Sequence, residues 1–93
     1  MALRKLLLRN KLDTKKKSLD GLREKDTEFE KREKELEDAI NEMDENTSEE
    51  DRKAVEKEAE DFQKEKEDHE SEKKKLEEEI ADIEEDLKKE EEK

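Results

Sequence analysis

The stretch NEMDENTSEEDRK, residues 41–53, decides how this chain folds. It holds three consecutive small polar residues, Asn46-Thr47-Ser48, followed by the acids Glu49, Glu50 and Asp51. A side-chain hydroxyl here can accept from the first free N–H groups of a new helix. Thr47 has Glu50 three residues on, a capping box, and Ser48 has Asp51 in the same relation, so either hydroxyl serves as the cap. The three acids then fall in the first turn, where the helix dipole favours negative charge. The stretch reads as a helix stop followed at once by a helix start, with the turn at 45–48.

Working back from the turn, heptads set with Leu19 at a and Leu22 at d give a d column of Leu8, Lys15, Leu22, Phe29, Leu36, Met43. The a column is Lys5, Leu12, Leu19, Asp26, Glu33, Ile40. Eight of these twelve positions are apolar in a chain that is 25% hydrophobic, which is a coiled-coil stripe. Working forward, a second stripe runs in a new phase. Its d column is Val55, Phe62, His69, Leu76, Ile83, and its a column is Ala59, Lys66, Lys73, Ile80, Leu87. The step from Met43 to Val55 is not a multiple of seven, so one seam cannot run through.

Composition agrees with long helices and with little else. Charged residues are 62% of the 93, the formal net charge is -12, and there is one Gly and no Pro, Trp, Tyr or Cys. So little apolar surface cannot offset the conformational entropy of a globular core. Disorder is the competing outcome, but strong helix formers fill nearly every position. No cysteine means no disulfide and no thiolate metal site. No run approaches the ~18 apolar residues of a membrane span. Leu6-Leu7-Leu8 is too short for the apolar part of a secretory signal, and the serine-rich character of a mitochondrial presequence is missing.

The expected fold is therefore all-α, a single domain forming an antiparallel two-helix coiled-coil hairpin. Helix 1 is placed at about 2–44 and helix 2 at about 49–91, each ~64 Å long at 1.5 Å per residue. With a turn near residue 47, facing residues have numbers summing to about 95. Ile40 then faces Val55, Leu36 faces Ala59, Leu19 faces Leu76, Leu12 faces Ile83, and Leu8 faces Leu87. Asp26 faces His69, with Lys73 one layer from Asp26 and Lys66 one layer from Glu33. Near the middle of the seam, helix 1 thus carries acids and helix 2 bases. A parallel pair of either helix would stack like charges, and the antiparallel hairpin relieves this. Gly21, costing about 1 kcal/mol in a helix interior, is the place where helix 1 is most easily broken, with Ser18 and Asp20 as possible caps of a fresh start.

The basic opening MALRKLLLRNKL finds its partner in the same register. Residues 1–17 carry seven cations and one acid, net +6, and residues 77–93 carry ten acids and three lysines, net -7. Arg4, Lys5, Arg9 and Lys11 are expected opposite Glu91, Glu90, Asp86 and Glu84. Leu3, Leu6 and Leu7 fall off the a/d seam and are the candidate inter-subunit contact.

Nothing in the pattern carries chemistry. His69 is flanked by Asp68 and Glu70, which point to other faces of the helix, so the three do not converge on a metal. The glutamate runs lack the turn and mixed ligands of a calcium site. No nucleophile–base pair or Gly-rich phosphate loop is present. The expected assignment is a non-enzyme with no catalytic residue, metal or cofactor. The basic segment has no aromatic residue to stack on a base, so nucleic acid is not an expected partner, nor is a membrane.

The opening MALRKLLLRNKLDTKKKSLDGL, followed by a charged heptad coil with a capped break at NTSEEDRKAVE, resembles the N-terminal delta (scaffolding) domain of HK97-fold tailed-phage major capsid proteins. The resemblance covers the whole chain but only the leading segment of a capsid protein, so the chain is expected to be a fragment. It implies a structural role in the host cytoplasm and the interior of the immature procapsid. Its partners would be neighbouring capsid subunits, in a homo-oligomer, and a phage maturation protease that removes the domain before DNA packaging. No cleavage site can be placed. Two rival readings use the same residues: a generic coiled-coil spacer or oligomerisation module, and an acidic-tipped hairpin entering the RNA polymerase channel, as in Gre-type and DksA-type factors. The tip acids Asp44, Glu45, Glu49, Glu50 and Asp51 are what suggest the second.

Overall fold

The computed structural model describes residues 2–92, and they form two long helices joined by a tight turn. Helix α1 runs Ala2–Glu42 and helix α2 runs Glu49–Glu91. They pack antiparallel into a rod of 71 × 16 × 15 Å. The fold is an all-α helical hairpin.

The turn is built by side chains. Ser48 is the N-cap, extended at φ -63° and ψ 153°, and its Oγ accepts from Asp51 N at 3.1 Å. Thr47 closes the turn from the other side. Its Oγ1 accepts from Asp44 N at 2.9 Å, while Thr47 N donates to Asp44 O at 3.1 Å. Asn46 N donates to Asp44 Oδ1 at 2.8 Å, and the Arg52 guanidinium donates to the Asp44 carbonyl from the first turns of α2. Buried or tightly turned backbone polar groups need such partners. Among the described residues none has positive φ, so this turn needs no glycine.

Helix α1 ends at Glu42, short of the expected 44, because Met43 N bonds to Ile40 O at 3.2 Å in a tightened last turn. Just before this turn one seam residue is displaced. The heptad register sets Ile40 against Val55, but Ile40 is 45% exposed, and Ala39 is half-buried in its place. The covered positions Glu33, Leu36 and Ala39 follow at two steps of three, not the alternating threes and fours of a heptad.

The other fourteen apolar seam residues and His69 are buried or half-buried. Leu8, Leu19, Phe62, Ile80 and His69 are the most enclosed. Leu12, Leu22, Phe29, Leu36, Met43, Val55, Ala59, Leu76, Ile83 and Leu87 are partly covered, as two helices alone must leave them. Gly21 does not break α1, which is continuous across it.

Candidate functional site

Two places on the rod concentrate interactions: the polar layers at its middle and the open end where the two termini meet.

At the middle, Asp26 links two residues of α2. Its Oδ1 lies 2.7 Å from His69 Nε2 and its Oδ2 accepts from Lys73 Nζ at 2.7 Å. An ionised carboxylate only accepts, so Nε2 carries the donated hydrogen. The Lys73 ammonium, and then His69, hold the Asp26 carboxyl below its ordinary value of 3.8. One layer along, Lys66 Nζ donates to both oxygens of Glu33 at 3.1 and 3.3 Å, which raises the Lys66 ammonium above its ordinary 10.5. Between these layers the rings assemble. His69 stacks on Phe29 with centroids 4.5 Å apart, and Phe29 meets Phe62 at 5.9 Å. The guanidinium of Arg32 lies over both phenyl rings, at 5.7 and 5.2 Å, and donates to Glu65 at 2.6 Å.

The heptad register places Asp26, His69, Lys73, Glu33 and Lys66 together, and they meet. It does not reveal Arg32 and Glu65. A signal for Arg32 is nonetheless present: it follows Phe29 by three residues, which puts its charge on the flank beside the ring.

At the open end α1 begins with Arg4 and Lys5 in a first turn that contains no acid. Cations there oppose the helix dipole, and α2 supplies the missing negative charge. Arg4 Nε donates to Glu90 at 2.9 Å, Arg9 reaches Glu91 at 3.8 Å, and Lys15 lies 2.7 Å from Glu79. These partners correct the expected ones, which gave Arg4 to Glu91 and Arg9 to Asp86. The long side chains reach diagonally along the partner helix, so the contacts shift by one to five residues from strict opposition. Lys5 is half-buried in the seam, and Lys11 lines an open groove with Lys15, Glu79, Asp82 and Ile83 in place of pairing with Glu84. The Lys15 ammonium holds the Glu79 carboxyl below its ordinary 4.5.

On the far side of α1 from these pairs lie Leu3, Leu6 and Leu7, exposed at 70%, 60% and 65%. Three neighbouring leucines more than half open to water form the largest uncovered apolar feature among the described residues. The hairpin itself gives them nothing to pack on.

Among the described residues no cluster of three or more His, Cys, Asp or Glu is placed to hold a metal ion, and no helix is long and apolar enough to cross a membrane. Compared with protein-family models, with curated proteins and with solved structures, the chain matches none.

Proposed function

We propose that the chain is a structural scaffolding segment, the N-terminal delta domain of an HK97-fold phage major capsid protein, which mediates contact between subunits while the procapsid assembles. The observation that carries this reading is the open end. There Leu3, Leu6 and Leu7 stand uncovered on a cationic helix, beside the end of α2 from which a shell domain would continue. A patch so placed lies at the inner surface of the shell, where subunits are neighbours. The rest of the rod is a polar spacer that projects inward. A domain of net charge -12 would repel incoming DNA and occupy its volume, so its removal before packaging follows from the same physics.

The test has two steps. The reading frame should continue past Lys93 into a domain of capsid-shell size. In that full-length protein, Leu3→Ser, Leu6→Ser and Leu7→Ser together should abolish procapsids under the electron microscope while leaving the hairpin's helicity nearly intact. A frame without a shell domain, or a normal yield of procapsids from the triple variant, overturns the proposal.

A further inference from the structure

The hairpin has a flank on each side of its seam, and the two flanks differ in charge. On one of them the g positions, just before each a, face each other, as the 2.6 Å pair of Arg32 with Glu65 shows. Heptad steps from that pair toward the open end give Lys25 with Glu72, Ser18 with Glu79, and Lys11 with Asp86. This flank is a row of cations on α1 beside a row of acids on α2. Among the described residues, Lys11, Lys25, Glu72 and Asp86 make no ion pair within the hairpin. Lys11, Lys25 and Glu72 stand exposed, and the open groove beside Lys11 and Glu79 reaches the seam at Ile83. On the opposite flank Arg9 and Arg23 already meet Glu91 and Glu77, at 3.8 and 3.9 Å. Beyond them that flank turns acidic, with Glu30 and Glu37 on the same side as Glu56 and Glu70.

A second feature limits how far such flanks can meet. Residues 1–25 with 70–93, the open half of the rod, hold fifteen cations and fifteen acids. Residues 26–69, the turn half, hold eight cations and twenty acids, which is the whole net charge of -12. Two open halves can lie together without net repulsion, whereas two turn halves repel.

We propose that two copies pair through the flank of Lys11, Lys25, Glu72 and Asp86, side by side and parallel, about a two-fold axis along the rod. That axis sets α1 of each copy on α2 of the other, so each cation row meets an acid row. Lys25 then lies between its own Glu72 and Glu72 of the second copy, and Lys11 lies likewise between two copies of Asp86. The other isologous arrangement has its axis across the rod. It sets α1 on α1 and α2 on α2, which brings like charges together at a cost. The contact covers the open half, and the turn halves diverge under their own charge. Leu3 and Leu6 lie on other faces of α1 and stay uncovered. The inference therefore stands on the charge rows and not on the leucine patch or the scaffolding reading.

The experiment is sedimentation velocity of the 93-residue chain. Exposed ion pairs are individually weak, so the chain is followed up to about 1 mM, the range of weak complexes. Wild type should pass from monomer to dimer as concentration rises. Lys11→Glu with Lys25→Glu puts acids on both rows, and Glu72→Lys with Asp86→Lys puts bases on both. Each of these variants alone should dimerise about ten-fold more weakly than wild type, or less still. Mixed in equal amounts they should form a heterodimer about as tight as the wild-type dimer, because acids again meet bases along both rows. Lys16→Glu with Lys17→Glu changes the net charge as much as the first variant, but off this flank, and should dimerise like wild type. So should the variant with Leu3→Ser, Leu6→Ser and Leu7→Ser, which separates this contact from that of the leucine patch. Wild type that stays monomeric, a mixture that stays monomeric, or a Lys16/Lys17 or triple-leucine variant that fails to dimerise each overturns the proposal. Circular dichroism checks that every variant is helical. One that is not is replaced by its milder counterpart, Lys→Gln, Glu→Gln or Asp→Asn, whose loss of association on this flank alone then decides.

Discussion

His69 Nε2 and Asp26 Oδ1 lie 2.7 Å apart across the hairpin, between residues 43 positions apart in the chain. With Lys73 on the other oxygen, Asp26 is the point at which α1 and α2 are held in one register. His69 is 7% exposed, so its ring depends on that acceptor. Asp26→Leu should therefore lower the thermal midpoint by several degrees, because a buried donor loses its partner. Asp26→Leu with His69→Leu should recover much of that loss, since the buried donor is removed with its acceptor and only Lys73, whose ammonium can reach water, loses a partner. The double variant should also lose uniqueness, giving mixed oligomers by light scattering where wild type gives one species at low concentration. A double variant as destabilised as the single would show that the layer does not act through this pair.

The pH dependence follows from the same carboxylate. Asp26 has a folded-state pKa below its ordinary 3.8, so its contribution is fully present above that value and is lost as pH falls through the lowered one. The stability difference between wild type and Asp26→Asn, from urea midpoints, should stay constant down to about pH 4 and shrink below it. Lys66 works in the opposite sense. Its raised pKa makes its contribution complete below 10.5 and lost only as pH rises beyond it, so Lys66→Met should differ constantly from wild type up to about pH 10.

Gly21 lies in an unbroken helix, and a Cβ placed there meets nothing within 4 Å. Gly21→Ala should stabilise the hairpin by about 1 kcal/mol, visible as a higher thermal midpoint. No gain would mean that the first turns of α1 do not unfold together with the rest.

Ser48 and Thr47 divide the work at the turn, so both should matter. Ser48→Ala should cost about 0.5–2 kcal/mol through the lost cap, and Ser48→Asp should recover most of it. Thr47→Ala should also destabilise, by freeing Asp44 N. The urea midpoints of the three variants measure this.

The two helices, the turn and the cover of every apolar seam residue but Ile40 are legible in the sequence because period and capping are local properties. The polar layers are legible too, since a fixed register pairs Asp26 with His69 by arithmetic alone. Ile40 is not, because near the turn the covered positions pass from Leu36 to Ala39, a step of three where the heptad count expects four. The partners of Arg4 and Arg9 fall a few residues from the expected ones for a related reason: flexible side chains choose among several acids of one run. Glu90, Glu91 and Asp86 are nearly equivalent in sequence, and only geometry separates them. The exposure of Leu3, Leu6 and Leu7 can be read from their heptad positions, but what covers them lies outside any single chain's pattern.

The charges in the middle of the seam are divided by helix, Asp26 and Glu33 on α1 and Lys66 and Lys73 on α2. Each half of the chain is in effect a probe for the other. Cut between Asn46 and Thr47, the two peptides should ignore their own kind and recombine as a one-to-one pair. The hairpin would then serve as a split tag, in which the turn contributes proximity while recognition resides in the layers of opposite charge.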